Sequence, residues 1–158
     1  LSFLTLRGLR TLAVRMRAHE DNAARIAALL EGHAAVTRVY WPGLPTHAGH
    51  ALAARQQSGF GAMLSFELDG GTDAVEAFLD GLQLFSLAES LGGVESLIAH
   101  PATMTHASMA AEARRTAGIG DVLLRVSVGI EGGADLCPDL EAALDRVRAR
   151  TPVLRAYA

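Results

Sequence analysis

One segment, with an arginine at its centre, constrains the fold of this chain more than any other. From Val122 to Val128 the side chains alternate in character: Leu124, Val126 and Val128 would share one face, and Leu123, Arg125 and Ser127 the other. Because successive side chains of a strand point to opposite faces, the segment predicts a strand with one apolar face. A sheet of such strands packs on one side only, as is typical of antiparallel sheets.

The rest of the chain alternates between short strands and helices. Alternating or β-branched residues predict strands at Val36 to Trp41, Gly59 to Leu68 and Leu82 to Leu87. Apolar residues at helical spacing predict helices over Thr5 to Glu31 and Thr46 to Arg55, after a cap at Thr72 or Asp73, over Ser108 to Gly118, and from Asp135 onwards. This order favours an α+β fold with about four mostly antiparallel strands and helices packed on one face.

The first helix divides the chain into two parts. We expect residues 1–31 to form one long helix of the kind that runs between domains, ended by Gly32. Residues 32–158 are expected to form a single α+β domain. At about 1.5 Å per residue the helix would span about 40 Å. A domain of this size does not need that length, so the first turns are expected to reach something outside it.

Charge and composition argue against several functions. The net charge is −3 without a basic block, so nucleic-acid binding is not expected, and no apolar run approaches the roughly 20 residues of a membrane helix. The one cysteine, Cys137, allows no internal disulfide and fits a reducing, cytoplasmic environment. All 14 basic residues are arginines, so chemistry that needs a lysine amine has to be supplied elsewhere.

Arg125 is the first candidate for a binding role. A guanidinium within a strand of valine and leucine is unfavourable if it is buried without a partner. It could pair with a nearby acid or extend to water. Alternatively, its planar fork could bind a ligand carboxylate through two charge-assisted hydrogen bonds. The sequence pattern by itself leaves both interpretations open.

The turn Ser90-Leu91-Gly92-Gly93 is the second candidate. Paired glycines let a ligand approach the main chain, although most such pairs only reverse the chain, and Glu89 before them could equally be a solvated acid. No nucleophile elbow, phosphate-binding loop or dinucleotide fingerprint is present. No metal site is expected either, because no cysteine or carboxylate completes a ligand set with the two histidine pairs, His47 with His50 and His100 with His106.

Four segments of the sequence resemble a known family. They are LRTLAVRMRAHEDNA, VYWPGLPTHAGHALAARQQSGFGAMLSFEL, LFSLAESLGGVESLIAHPATMTHAS and GIGDVLLRVSVGIE. Together they are similar to the C-terminal domain of the cystathionine γ-synthase and cystathionine γ-lyase family, the pyridoxal-phosphate enzymes of cysteine and methionine metabolism. The resemblance implies the small domain of a fold-type I enzyme, which closes the substrate side. It also implies a cofactor bound to a lysine of a large domain, and subunits assembled as tetramers.

The resemblance also implies roles for five residues. Arg125 matches the arginine that binds the substrate α-carboxylate, and Ser90 matches a serine that helps to hold the same group. Thr105, in the Met-Thr-His motif, matches a residue near that arginine, and Leu91 belongs with the substrate-binding turn. Glu89 matches a glutamate of the members that handle cystathionine, placed to meet the distal amino group, whereas methionine γ-lyases are expected to have valine.

The implied function is the substrate-binding part of a γ-lyase or γ-synthase. Its substrate would be a small amino acid, either cystathionine or a homoserine ester together with cysteine. Because the chain has no lysine for the Schiff base, we expect it to be inactive without the pyridoxal-phosphate domain. Alternatives are a part of a methionine γ-lyase or homoserine-ester sulfhydrylase, and a stand-alone, non-catalytic binding or assembly module.

Overall fold

The structure of the chain, a computed structural model, describes residues 2–150. Its elements are α1 (Ser2–Leu9), α2 (Leu12–Gly32), β1 (Val36–Tyr40), α3 (His50–Gln56), β2 (Met63–Leu68), α4 (Gly71–Leu79), β3 (Ser86–Leu87), β4 (Leu97–Ala99), α5 (Ala111–Thr116), β5 (Leu123–Ser127) and α6 (Gly133–Arg150). Residue 1 and residues 151–158, which belong to the predicted helix and domain, lie outside the described part. Among residues 2–150 no helix combines the length and hydropathy needed to cross a membrane.

The strands form one mixed sheet in the order β1-β2-β5-β4-β3. Neighbouring strands are antiparallel except β3 and β4, which run parallel. The α+β class and the mostly antiparallel sheet are confirmed. However, β4 is not among the predicted strands. In the strand predicted from Leu82 to Leu87, only the last two residues, which form β3, pair with a neighbouring strand. All three residues of β4 are buried, so this strand lacks the alternation that marks a half-buried strand.

One face of the sheet is covered by α2 and α4, and by α6, which packs on both of these helices and shares one hydrophobic core with the strands. The apolar faces predicted for β2 and β5 point toward these helices, and the side chains of Leu64, Phe66, Leu124 and Val126 are at most 2% exposed. We call the opposite side of the sheet the open face. It carries Met63, Ser65 and Glu67 of β2 and Leu123, Arg125 and Ser127 of β5.

The prediction of one continuous helix from Thr5 to Glu31 is wrong, because the structure divides this segment between α1 and α2. The break is stabilised at the carbonyl of Gly8, which accepts hydrogen bonds from the Thr11 hydroxyl (3.4 Å) and from Arg15 Nη2 (2.9 Å). Side chains therefore compete for an acceptor that a continuous helix would use in its own ladder, and glycine favours helix poorly.

Four helix starts also differ from the predicted ones, namely those of α3, α4, α5 and α6. The hydroxyl of Thr46 donates to Glu31 Oε1 (3.4 Å) rather than capping α3. Gly70 precedes α4 with φ of 117°, a left-handed conformation that glycine adopts readily. The segment that contains Ser108 forms turns before α5. Gly32, expected to follow α2, is its last residue.

Phe78 gives a direct test of the core. Its side chain is fully buried on α4 and meets the ring of Phe66 edge to face, with centroids 5.5 Å apart. Phe78→Ala leaves a cavity, so the free energy of unfolding should fall by about 3–5 kcal/mol, measured by urea unfolding of the chain. Leu52→Ala, where the side chain is 49% exposed, is the control and should change it by less than about 1 kcal/mol. Equal losses in both variants contradict the described core.

Candidate functional site

Arg125 lies at the centre of the open face. It is the middle residue of β5, which has β2 on one side and β4 on the other, and it pairs with Ser65 and Ala99. Its side chain is partly buried. The alternation of β5 therefore places a cation on the side of the sheet away from the helices.

The hydrogen bonds of Arg125 leave one buried donor unused. Its Nη2 donates to the main-chain carbonyls of Glu89 (3.0 Å) and Ser90 (3.3 Å). Its Nε is buried and has no hydrogen-bond partner within residues 2–150. No carboxylate of this described part forms an ion pair with Arg125, so the interpretation as a local salt bridge is not supported. A buried, unpaired donor of a cation is unfavourable, and a ligand carboxylate would satisfy it.

The 89–93 turn, residues 89 to 93, lies across the open face. The side chains of Glu89, Ser90 and Leu91 are exposed, so the carboxylate and the hydroxyl can both meet a ligand. The amide of Gly92 donates to the hydroxyl of Ser127 (2.9 Å). Arg125 and the 89–93 turn, predicted separately from the sequence, are thus brought together by direct hydrogen bonds.

Behind this turn lies a group that we call the buried polar cluster: His19, Asn22, Ser96, Gly129 and Glu131. Glu131 accepts hydrogen bonds from the amide (2.7 Å) and the hydroxyl (2.8 Å) of Ser96, whose hydroxyl oxygen in turn accepts from the amide of Gly129 (2.9 Å). Asn22 Nδ2 donates to the carbonyls of Gly129 (3.1 Å) and Glu131 (2.8 Å). The cluster joins the segments that precede β4 and follow β5.

The buried polar cluster was not predicted from the sequence, although α2 carries a signal for it. His19 and Asn22 are buried on the same side of α2 as Ala23 and Ile26. Two polar side chains therefore occupy positions of the buried stripe that usually hold apolar residues. His19 Nδ1 donates to the carbonyl of Val128 at 2.6 Å. Buried polar side chains are usually hydrogen-bonded, so their presence in the stripe indicates main-chain partners from another segment.

Thr105 is not brought into the same group. Its hydroxyl lies 2.8 Å from Nδ1 of the neighbouring His106, and within the described residues no hydrogen bond joins it to Arg125. The loop that contains it is fixed by buried His100, whose Nε2 donates to the carbonyl of Asp121 (3.0 Å) while Nδ1 lies 2.8 Å from the hydroxyl of Thr103. The predicted role of Thr105 stays a prediction.

The histidines of the two sequence pairs have other partners. His50 Nδ1 donates to the carbonyl of Pro42 (2.7 Å), and its ring stacks on Phe60 with centroids 5.2 Å apart. Across residues 2–150, no group of three or more histidine, cysteine, aspartate and glutamate side chains is placed to hold a metal ion.

Two side chains of the described residues have shifted pKa values, and neither lies in the candidate site. Burial raises the pKa of the Cys137 thiol, with Glu141 adding to the effect and Arg25 opposing it, so the thiol is less readily ionised. On the open face, the pKa of Tyr40 is raised first by burial and then by its hydrogen bond to Glu67 Oε1 (2.8 Å). The guanidinium of Arg38, 4.7 Å from the centre of the ring, opposes this rise.

Known proteins resemble this chain in sequence. Residues 1–145 match the family described as Cys/Met metabolism PLP-dependent enzyme. Cystathionine γ-synthase of Escherichia coli is 61% identical over 140 residues, which make up 89% of this chain and 36% of that protein. Cystathionine γ-lyase of Dictyostelium discoideum is 54% identical over 144 residues, which make up 91% of this chain and 37% of that protein.

Solved structures resemble it in fold. Cystathionine γ-synthase from Xanthomonas oryzae pv. oryzae, in complex with cystathionine, gives a TM-score of 0.90 at 69% identity, over 93% of this chain and 38% of that chain. The complex with aminoacrylate and cysteine gives the same values. The predicted fold class, the small domain of a fold-type I enzyme, agrees with this likeness. The chain spans well under half the length of the relatives that it matches.

The buried polar cluster can be tested through Glu131. Glu131→Ala leaves the amide and hydroxyl of fully buried Ser96 without acceptors, so the free energy of unfolding should fall by about 1–3 kcal/mol. Urea unfolding of the chain measures this loss. Glu141→Ala, at an exposed position of α6, is the matched control and should stay within about 0.5 kcal/mol. If the two variants are equally stable, the cluster contributes nothing.

The raised pKa of Tyr40 predicts a pH dependence. With Tyr157→Phe as background, Tyr40 is the one remaining tyrosine, and its phenolate absorption should have a midpoint above the ordinary value of 10.0. The folded chain favours the neutral phenol. The contribution of Tyr40 to the free energy of unfolding is therefore complete below the ordinary pKa and is lost as the pH rises through the raised pKa of the folded chain. Glu67→Gln should lower the midpoint, and a midpoint at or below the ordinary value contradicts the described contact.

Proposed function

Because the chain belongs to the family of Cys/Met metabolism PLP-dependent enzymes, we propose that it is the substrate-binding part of an enzyme that forms or cleaves cystathionine. One observation carries this proposal. Among residues 2–150, Arg125 stands at the centre of the open face with no partner for its buried Nε, beside a turn whose carbonyls it already holds.

The role proposed for Arg125 is to bind the α-carboxylate of the amino-acid substrate. A guanidinium donates to a carboxylate through two nitrogens of its fork, and the unpaired Nε supplies one of these donors. The exposed hydroxyl of Ser90 lies on the turn next to it and can donate to the same carboxylate. A substrate fixed at this end has less orientational freedom, which lowers the barrier for any reaction at its α-carbon.

Glu89 is proposed to recognise the other end of the substrate. Its carbonyl is bound by Arg125, while its side chain is exposed and free to meet an amino group. A carboxylate at this position fits cystathionine, which carries a second amino group, better than methionine, which has none. The solved structure of the relative from Xanthomonas oryzae pv. oryzae in complex with cystathionine supports the same substrate class.

The identities favour formation of cystathionine over its cleavage. The two γ-synthase relatives are 61% and 69% identical to this chain, and the γ-lyase of Dictyostelium discoideum is 54% identical. Relatives named cystathionine β-lyase reach 54%. We therefore propose a γ-synthase, with a γ-lyase as the second candidate. Assays of cystathionine formation and cleavage, run side by side on the full-length protein, distinguish the two.

The residues of this chain do not fit covalent attachment of pyridoxal phosphate. Attachment needs a lysine amine, and all 14 basic residues are arginines. When bound, the cofactor withdraws electrons from the substrate α-carbon. We propose that it is held by the remainder of the protein, since the matched relatives are much longer than this chain.

Helix α1 is proposed to pack against that remainder. It carries no buried residue, and Phe3, Leu4 and Leu6 are each more than 60% exposed. An apolar surface of this kind marks a contact with another part of a protein or another chain. The inter-domain role predicted for residues 1–31 thus falls to α1 and the start of α2. Assembly of the full-length protein as a homo-oligomer, and a cytoplasmic location, are part of the same proposal.

Arg125→Ala in the full-length protein tests the carboxylate role. Loss of a charge-assisted contact should raise KM strongly and lower kcat/KM by about tenfold or more, since such hydrogen bonds contribute about 1.5–3 kcal/mol. Steady-state kinetics with the amino-acid substrate measure the change. Arg115→Ala, which removes an exposed guanidinium from α5, is the control and should leave the kinetics unchanged. A loss smaller than about threefold would rule out this role.

A further inference from the structure

The two ends of the 89–93 turn are fixed by main-chain hydrogen bonds. On one side the amide of Ala88 donates to the carbonyl of Ile98 (2.9 Å), and on the other the carbonyl of Val94 accepts from the amide of Ile130 (2.9 Å). These bonds belong to the sheet and to the segment after β5. They hold the chain on either side of the turn but not the residues that would meet a ligand.

Between these ends, two side chains of β5 hold the turn to the sheet. Within the part of the chain that the structure describes, they are Arg125, which donates to the carbonyls of Glu89 and Ser90, and Ser127, which accepts from the amide of Gly92. Both point to the open face, two residues apart on one strand. The turn that carries Ser90 is therefore positioned by the same strand that carries the carboxylate-binding cation.

A bound carboxylate would affect the contact made by Arg125 but not the contact made by Ser127. A carboxylate at Arg125 competes with the carbonyls of the turn for the donors of the guanidinium. Ser127 is 4% exposed, and its hydrogen bond with the amide of Gly92 uses no donor of Arg125, so a carboxylate at the guanidinium does not compete for it. A hydrogen bond to the oxygen of a buried side chain is also one that water replaces less readily than an exposed one.

We propose that Ser127 is a positioning residue, which holds the hydroxyl of Ser90 at a fixed place relative to Arg125 while a substrate carboxylate is bound. It does not touch the substrate itself. This inference rests on the proposed function, in which Arg125 and Ser90 bind the α-carboxylate. Gly92, with φ of 78°, is a poor place to test it, because any other residue there would strain the backbone.

The first experiment compares Ser127→Ala with Ser127→Thr in the full-length protein. Ser127→Ala should raise KM for the amino-acid substrate by about three- to tenfold, with kcat within about twofold and the visible absorption of bound pyridoxal phosphate unchanged. Ser127→Thr keeps the hydroxyl and should restore KM. Thr37→Val is the matched control: it removes a hydroxyl that donates to the carbonyl of Glu67 at the far side of the same sheet, and KM should not change.

A double-mutant cycle separates positioning from a general loss of stability. If Ser127 acts through Ser90, then Ser127→Ala should raise KM much less in a Ser90→Ala background than in the wild-type protein. Equal fold-changes in both backgrounds overturn the proposal. So does an unchanged KM in Ser127→Ala when Arg125→Ala and Ser90→Ala are both impaired, a result that leaves the proposed function intact. Normal kinetics in Arg125→Ala would instead reject the proposed function.

Amide hydrogen exchange at residue resolution tests the anchor without any assay of activity. In the wild-type protein the amide of Gly92 should exchange more slowly than in Ser127→Ala, and Ser127→Thr should restore its protection. The measurement on the wild-type protein needs no variant to fold. An amide of Gly92 that exchanges as fast as an unbonded one shows that the hydrogen bond does not persist, and the positioning role is then rejected.

Discussion

A guanidinium in the middle of a sheet needs hydrogen-bond acceptors that its own strand cannot supply. The main-chain groups of β5 are used by β2 on one side and β4 on the other, so acceptors for Arg125 must come from a segment that crosses the open face. The carbonyls of Glu89 and Ser90 meet this need. Together with the hydrogen bond from the amide of Gly92 to Ser127, this contact sets the path of the 89–93 turn and so places Glu89 and Ser90 beside Arg125.

One face of the sheet is packed against helices and contributes to stability, and the open face carries Arg125. The face under α2, α4 and α6 is packed with buried apolar side chains, and this packing holds β5 in place. The buried polar cluster then fixes the two segments that flank the site, because Asn22 and Glu131 bind main-chain groups that would otherwise be buried without partners. Of the residues proposed to bind a substrate, Arg125 lies on β5, whereas Glu89 and Ser90 lie on a turn whose two ends are held by the sheet and by the segment after β5.

The chemistry offered by these residues is limited to recognition. Arg125, Ser90 and Glu89 present a cation, a hydroxyl and a carboxylate, which would complement the carboxylate and the second amino group of the proposed substrate, cystathionine. No side chain among them can attach a carbonyl cofactor, because the sequence has no lysine. Under the proposed function, such a site would orient a substrate for chemistry performed by another part of the protein, in keeping with the likeness of this chain to only a fraction of each longer relative.

The sequence by itself determined the features that arise from local periodicity. The alternation in β2 and β5 and the place of Arg125 opposite an apolar face follow from the spacing of side chains along one element, and the structure agrees with them. Only the tertiary structure decided the break between α1 and α2, the strand β4, the helix starts and the buried polar cluster. Strand β4 and the buried polar cluster depend on a hydrogen-bond partner or a covering surface distant in the sequence, as when His19 binds the carbonyl of Val128. The break depends instead on side chains of Thr11 and Arg15 that bind the nearby carbonyl of Gly8, and the start of α3 on Thr46, which binds Glu31. Periodicity reports which side of an element is apolar, but it carries no information about which distant group will satisfy a polar one.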